Sequence, residues 1–288
     1  MTFRQALCGG DSGLVRAIGA HHPLGARLAE EAGFDAIWAS GFELSAAYGL
    51  PDASLITMTQ HLEATRAMVA AVAIPVVADL DTGFGNAINV MHAVDAYRRA
   101  GAAAVVIEDK RFPKDTSLLA GGRQELVSAA AFAGKIEAAI AARGDDEMAI
   151  IARTEALIAG RGQAEAKARA EAYVAAGADA ILVHSKARTP DEILAFVAAW
   201  ERDTPLVVVP TAYPQLGEGE IAALGKIGMV IYGNHGLRAM VTALETTFAR
   251  IRRDGGAHNV ERDIAPVDRV FDLQGVPRMK AAEKKFLR

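Results

Sequence analysis

Cysteine is almost missing: Cys8 is the one thiol in 288 residues. A single thiol closes no internal disulfide, and without a CxxC neighbour it offers no zinc site. Cys8 reads as a small apolar residue near the terminus. No apolar run reaches the roughly 18 residues of a membrane helix, and the opening MTFRQALCGG lacks the apolar core of a signal peptide. A cytoplasmic protein with no membrane partner is therefore expected. Nor is positive charge in excess: 31 Lys+Arg against 35 Asp+Glu give a net charge of −4. The signs are mixed along the chain and form no basic stripe, which argues against nucleic acid as a partner.

Apolar side chains, by contrast, make up 51% of the chain, enough for one large core. α/β barrels of this length are commonly one domain, so a single domain over 1–288 is expected. One supersecondary unit keeps returning. LAEEAGFDAIWAS, YRRAGAAAVVIED and YVAAGADAILVHS each pass from an Ala-rich amphipathic helix through Ala-Gly into a short strand. The glycine reads as the helix C-cap. AIPVVADLD, MAIIARTEA, TPLVVVPTA and IGMVIYGN are continuous apolar runs rather than alternating ones. Strands of that kind are covered on both faces, which implies parallel pairing beneath helices. With GLVRAIGA there are eight, each followed by helical sequence, as in a (β/α)8 TIM barrel. A doubly wound open sheet is the alternative, but GAHHPLGA makes a poor phosphate turn after the first strand. RRDGG ends the eighth helical region, and VDRVFDLQGVPRMKAAEKKFLR is amphipathic enough for additional C-terminal helices over 257–288.

In such a barrel the chemistry sits where strands give way to their following loops. Those positions carry Trp38, Ser40 and Gly41, then Asp79 and Asp81, Glu108, Arg153, His184, Thr211 and Asn234. Asp79, Asp81 and Glu108 come from neighbouring strands, and three carboxylates in one cavity repel unless a cation joins them. Hard oxygen ligands suit Mg²⁺ or Mn²⁺ better than zinc. The plainer reading of DLDTGFG is a solvated loop opening on glycine turns. Arg153 projects inward and needs an anion, either a substrate or an internal partner such as Glu155. His184 reads as a phosphoryl contact or as a satisfied core histidine.

The stretches WASGFELSAAYGLPD, ADLDTGFGN, EDKRFPKDTSL, IARTEALIAG, ILVHS and PTAYP, in this order, resemble the phosphoenolpyruvate mutase and isocitrate lyase superfamily from about Asp11 to the C-terminus. Its carbon–carbon lyases carry a Lys-Lys-Cys-Gly-His loop. The corresponding KRFPKDTSLLAGGR has neither cysteine nor histidine, so a lyase acting on a 2-oxo or 2-hydroxy dicarboxylate is disfavoured. Mutases read Lys-x-Asn-Ser there. Lys114, Asp115, Thr116 and Ser117 put threonine in place of that asparagine, which is similar to the branch that hydrolyses phosphonopyruvate to pyruvate and phosphate.

The resemblance implies a divalent cation, Mg²⁺ or else Mn²⁺ or Co²⁺, at Asp79, Asp81 and Glu108, with Asp52 near its waters. It implies Arg153, His184, Lys114 and Ser117 around the phosphoryl group, the backbone N–H groups at Ser40 and Gly41 near the C2 oxygen, and Trp38 and Phe42 along the pocket. Thr116 would position a water or take the phosphoryl group itself. The charged, Pro- and Gly-containing loop is expected to move when empty and to close over substrate. The C-terminal helices are expected to pack on a neighbouring subunit of a homotetramer built from dimers. A binding protein or inactive relative with the same cavity is the alternative class.

Overall fold

Each repeat turns at its glycine. In the computed structural model, which describes residues 2–8 and 13–288, Gly33, Gly101 and Gly177 have φ of 84, 85 and 100°. Asp11, where the resemblance begins, lies outside the described residues. The C-caps of the three helices are Ala32, Ala100 and Ala176, one residue earlier than the sequence suggests. Glycine comes next because a left-handed φ carries no steric penalty without a Cβ.

Eight strands follow from this pattern: β1 (Val15–Ala20), β2 (Ala36–Ala39), β3 (Val76–Asp79), β4 (Ala104–Glu108), β5 (Ala149–Thr154), β6 (Ala180–Val183), β7 (Leu206–Val208) and β8 (Ile227–Tyr232). They pair in chain order, and β8 returns to β1 to close the barrel. Every pairing is parallel. The open-sheet alternative is thereby excluded. α1 (Phe3–Leu7) precedes the barrel. α2 (Pro23–Glu31), α3 (Gly41–Ala47), α4 (Met58–Val69), α5 (Ala87–Arg99), α6 (Ala129–Arg143), α7 (Gly162–Ala175), α8 (Asp191–Ala199) and α9 (Glu218–Ala223) lie between strands. Capping boxes at Thr57/Gln60 and Asn86/Asn89 start α4 and α5, each satisfying N–H groups the helix leaves unpaired.

The strand side chains divide by parity. Ala36, Val77, Ala104, Val106, Ala149, Ile151, Ala180 and Leu182 fill the barrel interior. Ala78, Val105, Ile107, Ile150, Ala152, Ile181 and Val183 pack outward with helix residues such as Phe132, Tyr173 and Phe196. Both faces are apolar, which is why the sequence shows no alternation.

The chain forms two compact units, Met1–His235 and Gly236–Arg288. The second holds most of α10 (His235–Asp254), together with α11 (Val267–Gln274) and α12 (Val276–Phe286), which meet at Gly275 with φ 75°. Among the described residues no helix is long and apolar enough to cross a membrane.

Candidate active site

At the carboxyl ends of the strands the interior parity continues, but with polar residues. Trp38 follows Ala36, Asp79 follows Val77, Glu108 follows Val106, Arg153 follows Ile151 and His184 follows Leu182, each two residues on along its strand. Period-two geometry therefore turns all five inward. Above them lies a cavity of about 300 Å³ lined by Trp38, Ser40, Phe42, Asp52, Asp79, Lys114, Thr116, Ser117, Arg153 and His184. Thr211, Gly233, Asn234 and the apolar Leu118, Leu119 and Val209 complete its wall. Glu108 is 1% exposed below this surface, while Asp81 opens on an adjacent cavity walled by Ser54, Leu55 and Phe112.

The acidic residues differ in what they hold. Asp79 accepts the Gly41 N–H at 3.2 Å and the Asp81 N–H at 3.3 Å, so its two oxygens clasp backbone. The Gly41 N–H, expected from the sequence to face substrate, is taken up by Asp79 in this structure. Gly41 is also where a side chain would not fit, because a Cβ there would lie 2.8 Å from Asp81 Oδ1. Asp52 Oδ1, Asp81 Oδ1 and both Glu108 oxygens are buried and accept no hydrogen bond. Carboxylate oxygens left in that state need a cation.

One is present. Lys114 Nζ stands 2.6 Å from Asp81, 3.2 Å from Asp52 and 3.9 Å from Glu108. Burial alone would lower Lys114, but these carboxylates outweigh it and hold the ammonium well above its ordinary value. Burial pushes Asp81 up to about 8, with the neighbouring acids adding to the effect and Lys114 opposing it. The close ion pair with Lys114 favours ionised Asp81, against the desolvation and the neighbouring negative charge that favour its neutral form. The donor chemistry fits a hard divalent cation. Even so, no three acidic, histidine or cysteine side chains among the described residues are gathered into a ready cage.

On the opposite wall Arg153 has the internal partner that its sequence context allowed. Its Nε lies 2.6 Å from Glu155 and 3.3 Å from Glu108, its strand partner in register, and the residue still lines the cavity. Burial lowers His184, with Glu155 opposing the shift. Its Nδ1 lies 2.9 Å from Arg153 Nη2 and 3.3 Å from Glu155 Oε1, and its buried Nε2 has no protein partner. Ser117 Oγ donates to Glu155 at 2.5 Å and accepts from Arg153 Nη2 at 3.0 Å.

Lys110 was not foreseen as part of this site, and Glu155 was foreseen only as an internal partner of Arg153. Glu155 is fully buried, and Lys110 and Arg153 hold it well below the usual carboxylate range despite the desolvation that opposes them. Lys110 Nζ is 3.2 Å from Glu155. The sequence signal was a buried-strand context followed by Glu-Asp-Lys and by Arg-Thr-Glu, which are costly places for charge unless paired.

The loop carrying Lys114, Thr116 and Ser117 contributes all three to the cavity wall, with Lys114 and Ser117 buried. Its neck is pinned by Arg111 N–H to Glu125 O at 2.9 Å and Val127 N–H to Asp109 O at 3.0 Å.

The profile of the phosphoenolpyruvate phosphomutase family matches residues 5–252. The phosphonopyruvate hydrolase of Variovorax sp. (strain Pal2) is 58% identical over 290 aligned residues, covering 100% of both chains. A crystal structure of phosphonopyruvate hydrolase in complex with oxalate and Mg²⁺ superposes with a TM-score of 0.93 at 57% identity, covering 100% of both chains. Phosphoenolpyruvate phosphomutase from Streptomyces platensis subsp. rosaceus superposes with a TM-score of 0.96 at 53% identity, over 99% of this chain and 98% of that one. Shape alone therefore does not separate the two activities, but barrel, polar ring and sequence agree on the lineage, and the chain belongs to the phosphoenolpyruvate phosphomutase family.

Proposed function

We propose that this chain is a metal-dependent phosphonopyruvate hydrolase, cleaving the P–C bond to give pyruvate and inorganic phosphate through pyruvate enolate. One observation carries the choice within the family: Thr116 of the 112–124 loop lines the same cavity as Asp79, Arg153 and His184. Full-length identity of 58% to a phosphonopyruvate hydrolase supports it.

Asp79, Asp81 and Glu108 would hold the cation, Mg²⁺ or Mn²⁺ or Co²⁺ in its place, with Asp52 beside them. When bound, it supplies Lewis-acid stabilisation of the charge growing on the substrate's C2 oxygen. The rest falls to the protein. The Arg153 guanidinium, the Lys114 ammonium and the His184 Nε2 are the groups available to phosphoryl oxygens, and phosphoryl transfer is mostly positioning and charge neutralisation. As the P–C bond breaks, its electron pair passes to C3 and the enolate. An O–P bond forms either to a water aligned by Thr116 or to the Thr116 hydroxyl, which water then releases. C3 finally takes a proton. Trp38, Phe42, Leu118 and Leu119 would keep bulk water from the enolate.

Incubation with phosphonopyruvate and Mg²⁺, followed by phosphorus NMR, tests this reading. Phosphate and pyruvate should accumulate, and exhaustive chelation should stop their formation. Phosphoenolpyruvate as the main product would instead establish a mutase, the alternative that the 53% identity to a phosphomutase raises.

We also infer a cytoplasmic homotetramer in which the helices of 257–288 pack on a neighbouring subunit. Val267, Phe271, Met279 and Phe286 are 44–67% exposed in the single chain, an apolar surface in need of cover. A monomer in sedimentation at micromolar concentration would refute the assembly.

A further inference from the structure

Lys110 has no task in the mechanism above, and its environment is unusual for a lysine two residues past a strand. Its side chain is 1% exposed, where an ammonium needs full compensation. All three of its N–H groups are used. Nζ donates to the Asp115 carbonyl at 2.8 Å and to Ser117 Oγ at 2.8 Å, and lies 3.2 Å from Glu155 Oε2. Asp115 and Ser117 are the residues on either side of Thr116. One ammonium thus grips the loop before and after the threonine while Thr116 itself faces the cavity.

What holds the ammonium is itself held. The Glu155 N–H donates to Asp109 Oδ1 at 2.8 Å. Asp109 Oδ2 in turn accepts from Tyr173 OH at 2.7 Å and from Arg169 Nη1 at 3.2 Å, both on α7. Bonds therefore run without a gap from a packed helix, through the ends of β4 and β5, to the segment that carries Thr116. Gln124 Nε2 adds a second hold, 3.1 Å from the Thr116 carbonyl.

We propose that Lys110, seated on Glu155, is a positioning residue that fixes residues 115–117 so that the Thr116 hydroxyl is aligned for the phosphoryl acceptor. The proposal rests on the hydrolase reading. It goes further in assigning the order of residues 115–117 to a lysine outside the substrate and cation groups named above, and in predicting which kinetic constant that lysine controls. An unaligned acceptor slows the step after binding, whereas Arg153 and Lys114 continue to hold the substrate.

The test compares K110M with the parent. K110M keeps length and bulk but removes all three donors. With phosphonopyruvate and Mg²⁺, kcat should fall 10-fold or more while KM stays within about 3-fold and the melting temperature stays within a few degrees. An unchanged kcat, or a KM that rises while kcat holds, would overturn the assignment. K110Q, which keeps two N–H donors without charge, serves under the same criteria if K110M does not fold. Amide hydrogen exchange at 115–119 needs no turnover and should speed up 10-fold or more in the variant. Equal exchange in variant and parent would overturn the proposal even if the parent released no phosphate, a result that would by itself refute only the hydrolase reading.

Discussion

Among the described residues nothing hydrogen-bonds the Thr116 hydroxyl, whereas Ser117 Oγ is engaged by Lys110, Arg153 and Glu155. Thr116→Ala should therefore lower kcat by about 10²-fold with a smaller effect on KM, because the groups that grip the substrate remain; parent-like turnover would make this threonine a turn residue. His61 supplies a pH prediction. It is 2% exposed, with Nδ1 2.7 Å from Tyr97 OH, and burial lowers it from 6.5 to about 4. Between those values the unfolded chain binds a proton that the folded chain refuses. The contribution of His61 to stability is thus complete above pH 6.5 and is lost as the pH drops toward 4, by up to about 3 kcal/mol. Urea midpoints from pH 7.5 to 4.5 should show the slope, and His61→Phe should flatten it. The polar ring could be read at this scale because one residue type at each strand end suffices to place it. The position of Lys114 among the acids could not, since it depends on how a loop folds back. Lys110 was hidden for a related reason: a lysine after a strand looks solvated until its partners at 115, 117 and 155 are known.

Between β4 and α7 the outward face of the strand end does structural work that the inward face cannot. Asp109, next to inward Glu108, points the other way and is fully buried. Burial pushes it up, while the Glu155 N–H, Tyr173 and Arg169 pull against that. Replacing Arg169 by Met leaves that acid without its cation, and losing one partner of a buried pair typically costs about 3 kcal/mol or more. Chemical denaturation should show the loss; a change below about 1 kcal/mol would mean that Tyr173 and the backbone suffice. The strands and helices were legible in outline because the repeat of helix, Ala-Gly and apolar run is strong. Two-sided burial of each run then allowed few arrangements other than a barrel. The glycine position was off by one because composition shows that a helix stops but not which residue carries the last helical φ. The pairing of Asp109 with α7 was not legible, being a contact across 60 residues.

Taken whole, the molecule carries its own counter-ion. With Lys114 among Asp52, Asp81 and Glu108, the acids are partly neutralised before any divalent cation arrives. Chelation should accordingly abolish turnover yet shift the melting temperature by only a few degrees, unlike proteins whose fold depends on a structural metal. A collapse of the melting temperature on chelation, checked by calorimetry, would show that the lysine does not suffice. The pinned neck of the loop has a broader consequence. Asp109, Lys110 and Arg111 run beside Glu125, Leu126 and Val127, so residues 112–124 leave and rejoin the barrel at one place. They form a cassette whose ends already meet, and a donor segment of another length could be grafted there without re-registering a single strand. A descendant of this barrel could acquire a new reaction by inheriting a different insert, with the foundation lysine waiting to seat it.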